Sequence, residues 1–103
     1  MSLDNSTRKE FRSIGHKLHP IVIVKSLSDG TRAELERALS DHELIKIRVL
    51  AADREEKQVL IGAICEELGA EAVQVTGHVV LLYRANPRAQ PALSNLQRHR
   101  LTR

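Results

Sequence analysis

The chain has 103 residues, enough for one domain with its own core, and its 42% hydrophobic content is ordinary for a globular protein and excludes a disordered polyelectrolyte. A single cysteine excludes an internal disulfide and fits a reducing cytoplasm, and no apolar run approaches the ~20 residues of a membrane span. The net charge of +3 hides a segregation: Met1 to Ser28 carries five basic and two acidic residues, Asp29 to Glu71 six and eleven, and Ala72 to Arg103 five arginines and no acid, which is the footprint a polyanion site can leave.

The stretch STRKEFRSIGHKL reads as a short basic helix. Thr7 and Glu10 stand at capping-box spacing, Phe11, Ile14 and Leu18 fall near one face, and Gly15 offers a stop. Arg8, Lys9 and Arg12 lie mainly off that face. The polar N-terminus lacks the apolar centre of a signal peptide, so a cytoplasmic protein is expected. Pro20 blocks further helix, and Ile21 to Val24 read as a buried strand.

The connection KSLSDG leads into a second helix capped by Ser28, with Thr31, Leu35, Ala38 and His42 at helical spacing. In LIKIRVL, Ile45, Ile47 and Val49 face one way and Lys46 and Arg48 the other, predicting a strand with a cationic face. A third helix follows in DREEKQVLIGAICEELG, capped at Asp53, striped by Leu60, Ile64 and Leu68, and ended at Gly69. AVQVTGHVVLLYR predicts two strands in a hairpin turning at Gly77.

The expected fold is α/β, a single domain in the order α-β-α-β-α-β-β. Successive βα units make parallel neighbours, and the hairpin adds an antiparallel edge to a mixed four-stranded sheet. The domain is expected over residues 1–84. Beyond Arg84, ANPRAQPALSNLQRHRLTR has no sustained apolar periodicity, and residues 85–103 are expected to form a basic, flexible tail that adds nothing to the core.

Catalytic constellations are missing. His16 and His19 have an H-x-x-H spacing, but a zinc site needs further ligands and Cys65 falls on a different helix. His42 reads as a histidine packed at a helix end, and Cys65 as a buried structural thiol. Glu55–Glu56 and Glu66–Glu67 diverge around their helix as solvated pairs. Neither a Walker-type loop nor a nucleophile elbow occurs. No catalytic residue, metal or cofactor is expected. With one Phe, one Tyr and no Trp, a base-stacking platform of the RRM or OB type has little to build with. Nucleic acid would be held through phosphates, riboses and shape.

GHKLHPIVIV, SDGTRAELERALSDHELIKIRVL and VQVTGHVVLLYR resemble the CRM domain (chloroplast RNA splicing and ribosome maturation) over about Thr7 to Arg84, with HELIK and LYR the most specific parts. The resemblance implies a fold similar to the C-terminal domain of a bacterial translation initiation factor. It also implies the role of the family's bacterial single-domain members, RNA-binding proteins associated with precursors of the large ribosomal subunit. The family places a G-x-x-G loop, followed by Leu-Thr, between the first strand and second helix, and this loop is compared with the RNA-backbone clamp of KH domains. Aligned on Leu27–Ser28, this chain has only Lys25–Ser26 where four residues belong, and Gly30 lies inside the helix start. The turn is therefore expected to be a reduced phosphate contact, built from the Lys25 charge, the Ser26 hydroxyl and the helix N-terminus at Ser28 to Gly30, and opposed by Asp29.

The combined expectation is a non-enzymatic, ribosome-associated RNA-binding protein with no membrane contact; the sequence does not fix its oligomeric state, and a monomer is favoured. Its partners are precursor large-subunit rRNA and the pre-ribosomal large subunit. Its contact residues are Arg8, Lys9, Arg12, Lys17, Lys25, Ser26, Ser28, Gly30, Lys46 and Arg48, with Arg84, Arg88, Arg98 and Arg100 from the C-terminal third. The alternatives are an adaptor that docks on a ribosomal protein or maturation factor through the acidic second and third helices, and a small RNA-modifying enzyme, which the missing catalytic groups argue against.

Overall fold

The alternation in LIKIRVL sets the layering of the molecule, for which the computed structural model describes residues 3–101, the side chains of Arg100 and Leu101 excepted. The elements run α1 (Asn5–Gly15), β1 (Pro20–Val24), α2 (Asp29–His42), β2 (Leu44–Val49), α3 (Arg54–Leu68), β3 (Glu71–Thr76), β4 (Val79–Tyr83) and α4 (Asn95–Leu101). The sheet order is β1-β2-β4-β3, with β1 and β2 parallel and both other pairings antiparallel. The mixed four-stranded sheet is the one expected from the sequence.

Ile45, Ile47 and Val49 of β2 meet Val22, Val24, Val80 and Leu82 beneath α2 and α3, in a cluster that includes Leu35, Leu39 and Ile64. The opposite face carries a second cluster of Phe11, Ile14, Leu44, Val73, Leu81 and Leu96 under α1 and α4. Phe11 and Tyr83 pack with ring centroids 4.7 Å apart. Cys65 is half-buried, and that burial pushes its thiol pKa up, as suits a structural thiol. Gly15 lets α1 sit close on the sheet, since a Cβ there would stand 2.7 Å from both Leu81 methyl groups.

Three local expectations are revised. Helix α1 starts earlier than Thr7, because the Asp4 carboxylate accepts the Thr7 N–H at 2.7 Å and caps it. Hydrogen bonds from Thr7 are also the main reason that carboxyl lies below its ordinary pKa. Strand β1 is not buried throughout: Val22 and Val24 enter the core, but Ile21 is 52% and Ile23 61% exposed. As an edge strand, β1 alternates like a strand covered on only one face.

The third revision concerns the C-terminal segment, which packs on the domain and contributes to its core. Leu96 is only 4% exposed. The Asn86 N–H donates to the Glu43 carboxylate at 2.8 Å, the Asn95 side-chain amide to the Leu44 carbonyl at 2.7 Å, and His42 Nδ1 to the Leu93 carbonyl at 2.8 Å. A helix as short as α4 gives periodicity little room to show. Ser94 and Gln97 do stand at capping-box spacing, and the Ser94 hydroxyl accepts the Gln97 N–H at 3.3 Å.

Candidate nucleic-acid interface

Helices α1 and α4 cover only part of their face of the sheet. The rest is open, and alternation along the strands decides what it shows. β2 presents Lys46 and Arg48, because Ile45, Ile47 and Val49 are committed to the opposite core. β1 adds Ile21 and Ile23, and its ladder sets Ile23 beside Arg48. From β4 and β3 come Val79, Thr76 and Gln74.

Three adjoining clefts run over this area. One of ≈ 340 Å³ is lined by His16, Lys46, Gln74, Thr76, Val79 and Leu81. A second, shallower one follows α1 past Lys9, Arg12, Ser13, His16, Lys17 and Gln74. The third, of ≈ 280 Å³, lies towards β1 and α4 and includes Lys17, His19, Ile21, Lys46, Asn95 and Arg98. Among the described residues, no carboxylate lines any of the three. The opposite face is covered by α2 and α3, whose exposed acids include Glu34, Glu36, Glu55, Glu56, Glu66 and Glu67. The charge segregation in the sequence thus becomes a segregation between faces, which focuses a positive field on the open half of the sheet.

The predicted contact residues divide into groups. Lys9, Arg12, Lys17, Lys46 and Arg98 gather around the clefts, with Arg48 exposed beside them. Lys25 and Ser26 are exposed in the bend after β1. Ser28 is the cap of α2, accepting the Thr31 N–H at 3.2 Å, and Gly30 is an exposed residue of its first turn.

Arg8 and Arg84 have structural work instead. The Arg8 guanidinium meets Glu71 at 2.7 Å and donates to the Val73 carbonyl at 3.1 Å, tying α1 to β3. Arg84 pairs with Glu36 and donates to the Leu68 carbonyl at 3.1 Å and the Ser40 hydroxyl at 2.8 Å. A guanidinium neutralised in this way adds little to an open positive field. Arg88 is exposed in the turn after Asn86 and lines none of the three clefts. The Arg100 side chain lies outside the described residues.

His16, Gln74, Thr76 and the two exposed isoleucines join the surface without having been singled out for it. Gln74 and Thr76 became visible only through the β3–β4 register. Ile21 and Ile23 belong to an IVIV run that looks continuously buried in sequence.

The chain is similar to several known proteins. The CRS1 / YhbY (CRM) domain matches residues 3–84. A protein of Pseudomonas aeruginosa named a probable RNA-binding protein is 43% identical over 100 residues, covering 95% of this chain and 96% of the relative. An RNA-binding protein of Haemophilus influenzae is 42% identical over 93 residues, covering 87% and 94%. Among solved structures, a hypothetical protein of Staphylococcus aureus, described as a candidate RNA binding protein, superposes with a TM-score of 0.74 at 25% identity, covering 86% of this chain and 95% of that one.

Proposed function

This chain belongs to the CRS1 / YhbY (CRM) domain family, and from that premise we propose that it binds RNA of the large-subunit ribosomal precursor through the open half of its sheet, assisting assembly without catalysing a reaction. The observation that carries this reading is the cationic surface of α1, β2 and α4 around clefts whose described lining holds no carboxylate. Lys46 and Lys17 each line two of the three clefts and so link them. Phosphates supply the affinity, and the curvature between α1 and the sheet supplies shape selection. The relatives' names as RNA-binding proteins support the RNA partner.

The test is a titration of purified protein against deproteinised large-subunit precursor RNA and, in parallel, small-subunit RNA. Tighter binding to the large-subunit precursor is expected. With roughly five phosphate contacts, log K should fall against log salt with a slope of about −3.5 if the contacted strand is single. Negligible affinity for bare RNA, with retention on assembling particles, would instead identify an adaptor that docks through its acidic α2 and α3 face.

A further inference from the structure

Two branched aliphatic side chains stand out on the open face. Ile21 and Ile23 are 52% and 61% exposed on an edge strand. Scattered apolar residues are normal on a surface, but successive outward positions on an edge strand invite unwanted pairing. Here they lie within a cationic surround. The β1–β2 ladder sets Ile23 beside Arg48, Ile21 shares a cleft with Lys46, and the exposed Lys25 follows the end of β1.

We propose that Ile21, Ile23 and Arg48 form a platform for an unpaired nucleotide, so that the RNA this surface selects contains a bulge, loop or single-stranded segment. The inference rests on the RNA-binding reading and names its substrate class. A nucleotide splayed out of a helix offers both a phosphate and a flat, largely apolar base face. Lys46 and Lys25 can meet the first. The isoleucine side chains and the guanidinium plane of Arg48 can meet the second. Paired RNA offers phosphates and 2′-hydroxyls but keeps its base faces stacked, so it has no use for the isoleucines. A second copy of this chain is a poor occupant, because it would bring the same cations against these.

The experiment compares a blunt RNA duplex with the same duplex carrying a three-nucleotide bulge, by fluorescence anisotropy at one salt concentration. The wild-type protein should bind the bulged RNA about tenfold tighter. The Ile21→Ser/Ile23→Ser double variant changes only exposed side chains, and its urea midpoint checks that it folds. It should bring the two affinities within about twofold of each other, the larger loss falling on the bulged RNA. Arg48→Lys keeps the charge but loses the plane, and should lower the preference without matching the double variant. Equal binding of both RNAs by wild type, or a preference that survives in the double variant, overturns the platform while leaving RNA binding intact. Binding to neither RNA overturns both readings. A wild-type dimer that the double variant converts to monomer, seen by sedimentation, assigns the isoleucines to a second copy and also overturns the platform.

Discussion

The Ser94 hydroxyl donates to the Glu43 carboxylate at 2.5 Å, and both residues are buried. Fifty-one positions apart in the sequence, they fasten the C-terminal segment to the end of α2. Glu43 can do this because the chain turns there with φ 62°, a left-handed value that few residues other than glycine adopt. The same carboxylate accepts the Asn86 N–H, so one side chain holds both ends of the 86–94 loop. Helix α4 is thereby set against the sheet, with Leu96 in the second core and Arg98 at the edge of the cationic clefts.

Leu96→Ala should therefore lower stability by about 2–4 kcal/mol, the usual range for truncating a buried leucine. Glu43→Ala should cost about 2–3 kcal/mol, because it leaves the buried Ser94 hydroxyl without its acceptor and keeps the left-handed backbone. Glu43→Gly should lose less than Glu43→Ala, since glycine relieves that backbone. Urea denaturation reads all three. Midpoints unchanged from wild type would mean the segment is a loose tail after all.

Two glycines in helices should respond with opposite signs to alanine. At Gly62, in the middle of α3, a Cβ meets nothing within 4 Å, so Gly62→Ala should stabilise by about 0.5–1 kcal/mol through helix propensity. At Gly15 the added Cβ collides with Leu81, whose side chain is only 2% exposed and has little room to move. Gly15→Ala should destabilise by about 1–3 kcal/mol, as overpacked cores do. Thermal melts of the two variants side by side would expose a mistaken α1–sheet spacing.

Sequence patterns exposed most of this architecture because the long elements carry their own periodicity. The stripe of Leu60, Ile64 and Leu68 and the alternation of Ile45, Ile47 and Val49 each identify an element and its buried side. What stayed hidden depends on contacts between distant segments. Arg8 and Arg84 look like any surface arginine until Glu71 and Glu36 are brought beside them. The four aliphatics of β1 look buried until the strand is found at the sheet edge. The scarcity of aromatic residues points to phosphate contacts, yet the isoleucine pair exposed among the cations is apolar.

The cations should separate in experiment as they do in space. Arg8→Ala and Arg84→Ala should each cost about 1–2 kcal/mol of stability, because they remove charge-assisted hydrogen bonds to partly buried carbonyls. Lys9→Ala, Arg12→Ala and Lys46→Ala should leave stability within about 0.5 kcal/mol of wild type. Each should weaken RNA binding and flatten the salt slope by about 0.7 for every phosphate of a single strand that is no longer neutralised. Measuring urea midpoints and salt titrations on the same five proteins tests the division. An Arg8 variant of normal stability with much reduced RNA affinity would return that residue to the interface.

The bend at Lys25–Ser26 stands where a phosphate contact and a plain connection have different consequences. It follows the Ile21–Ile23 row at the sheet edge and precedes the Ser28 cap of α2. A lysine on phosphate reads no base, so Lys25→Ala should weaken binding by a similar factor for every RNA tested. Ser28→Ala should act on the fold instead, costing about 1 kcal/mol by freeing the Thr31 N–H. The decisive variant replaces Lys25–Ser26 with a four-residue Gly-x-x-Gly segment, keeping one lysine at an x position. Glycines let backbone N–H groups approach a phosphate that side chains would hold away. If the short turn faces RNA, the swap should tighten binding, and the urea midpoint should hardly move because the insertion lies in an exposed connection. If the swapped protein folds normally and neither it nor Lys25→Ala changes affinity, the bend is only a connection, and the RNA surface is confined to α1, the Lys46–Arg48 face and α4.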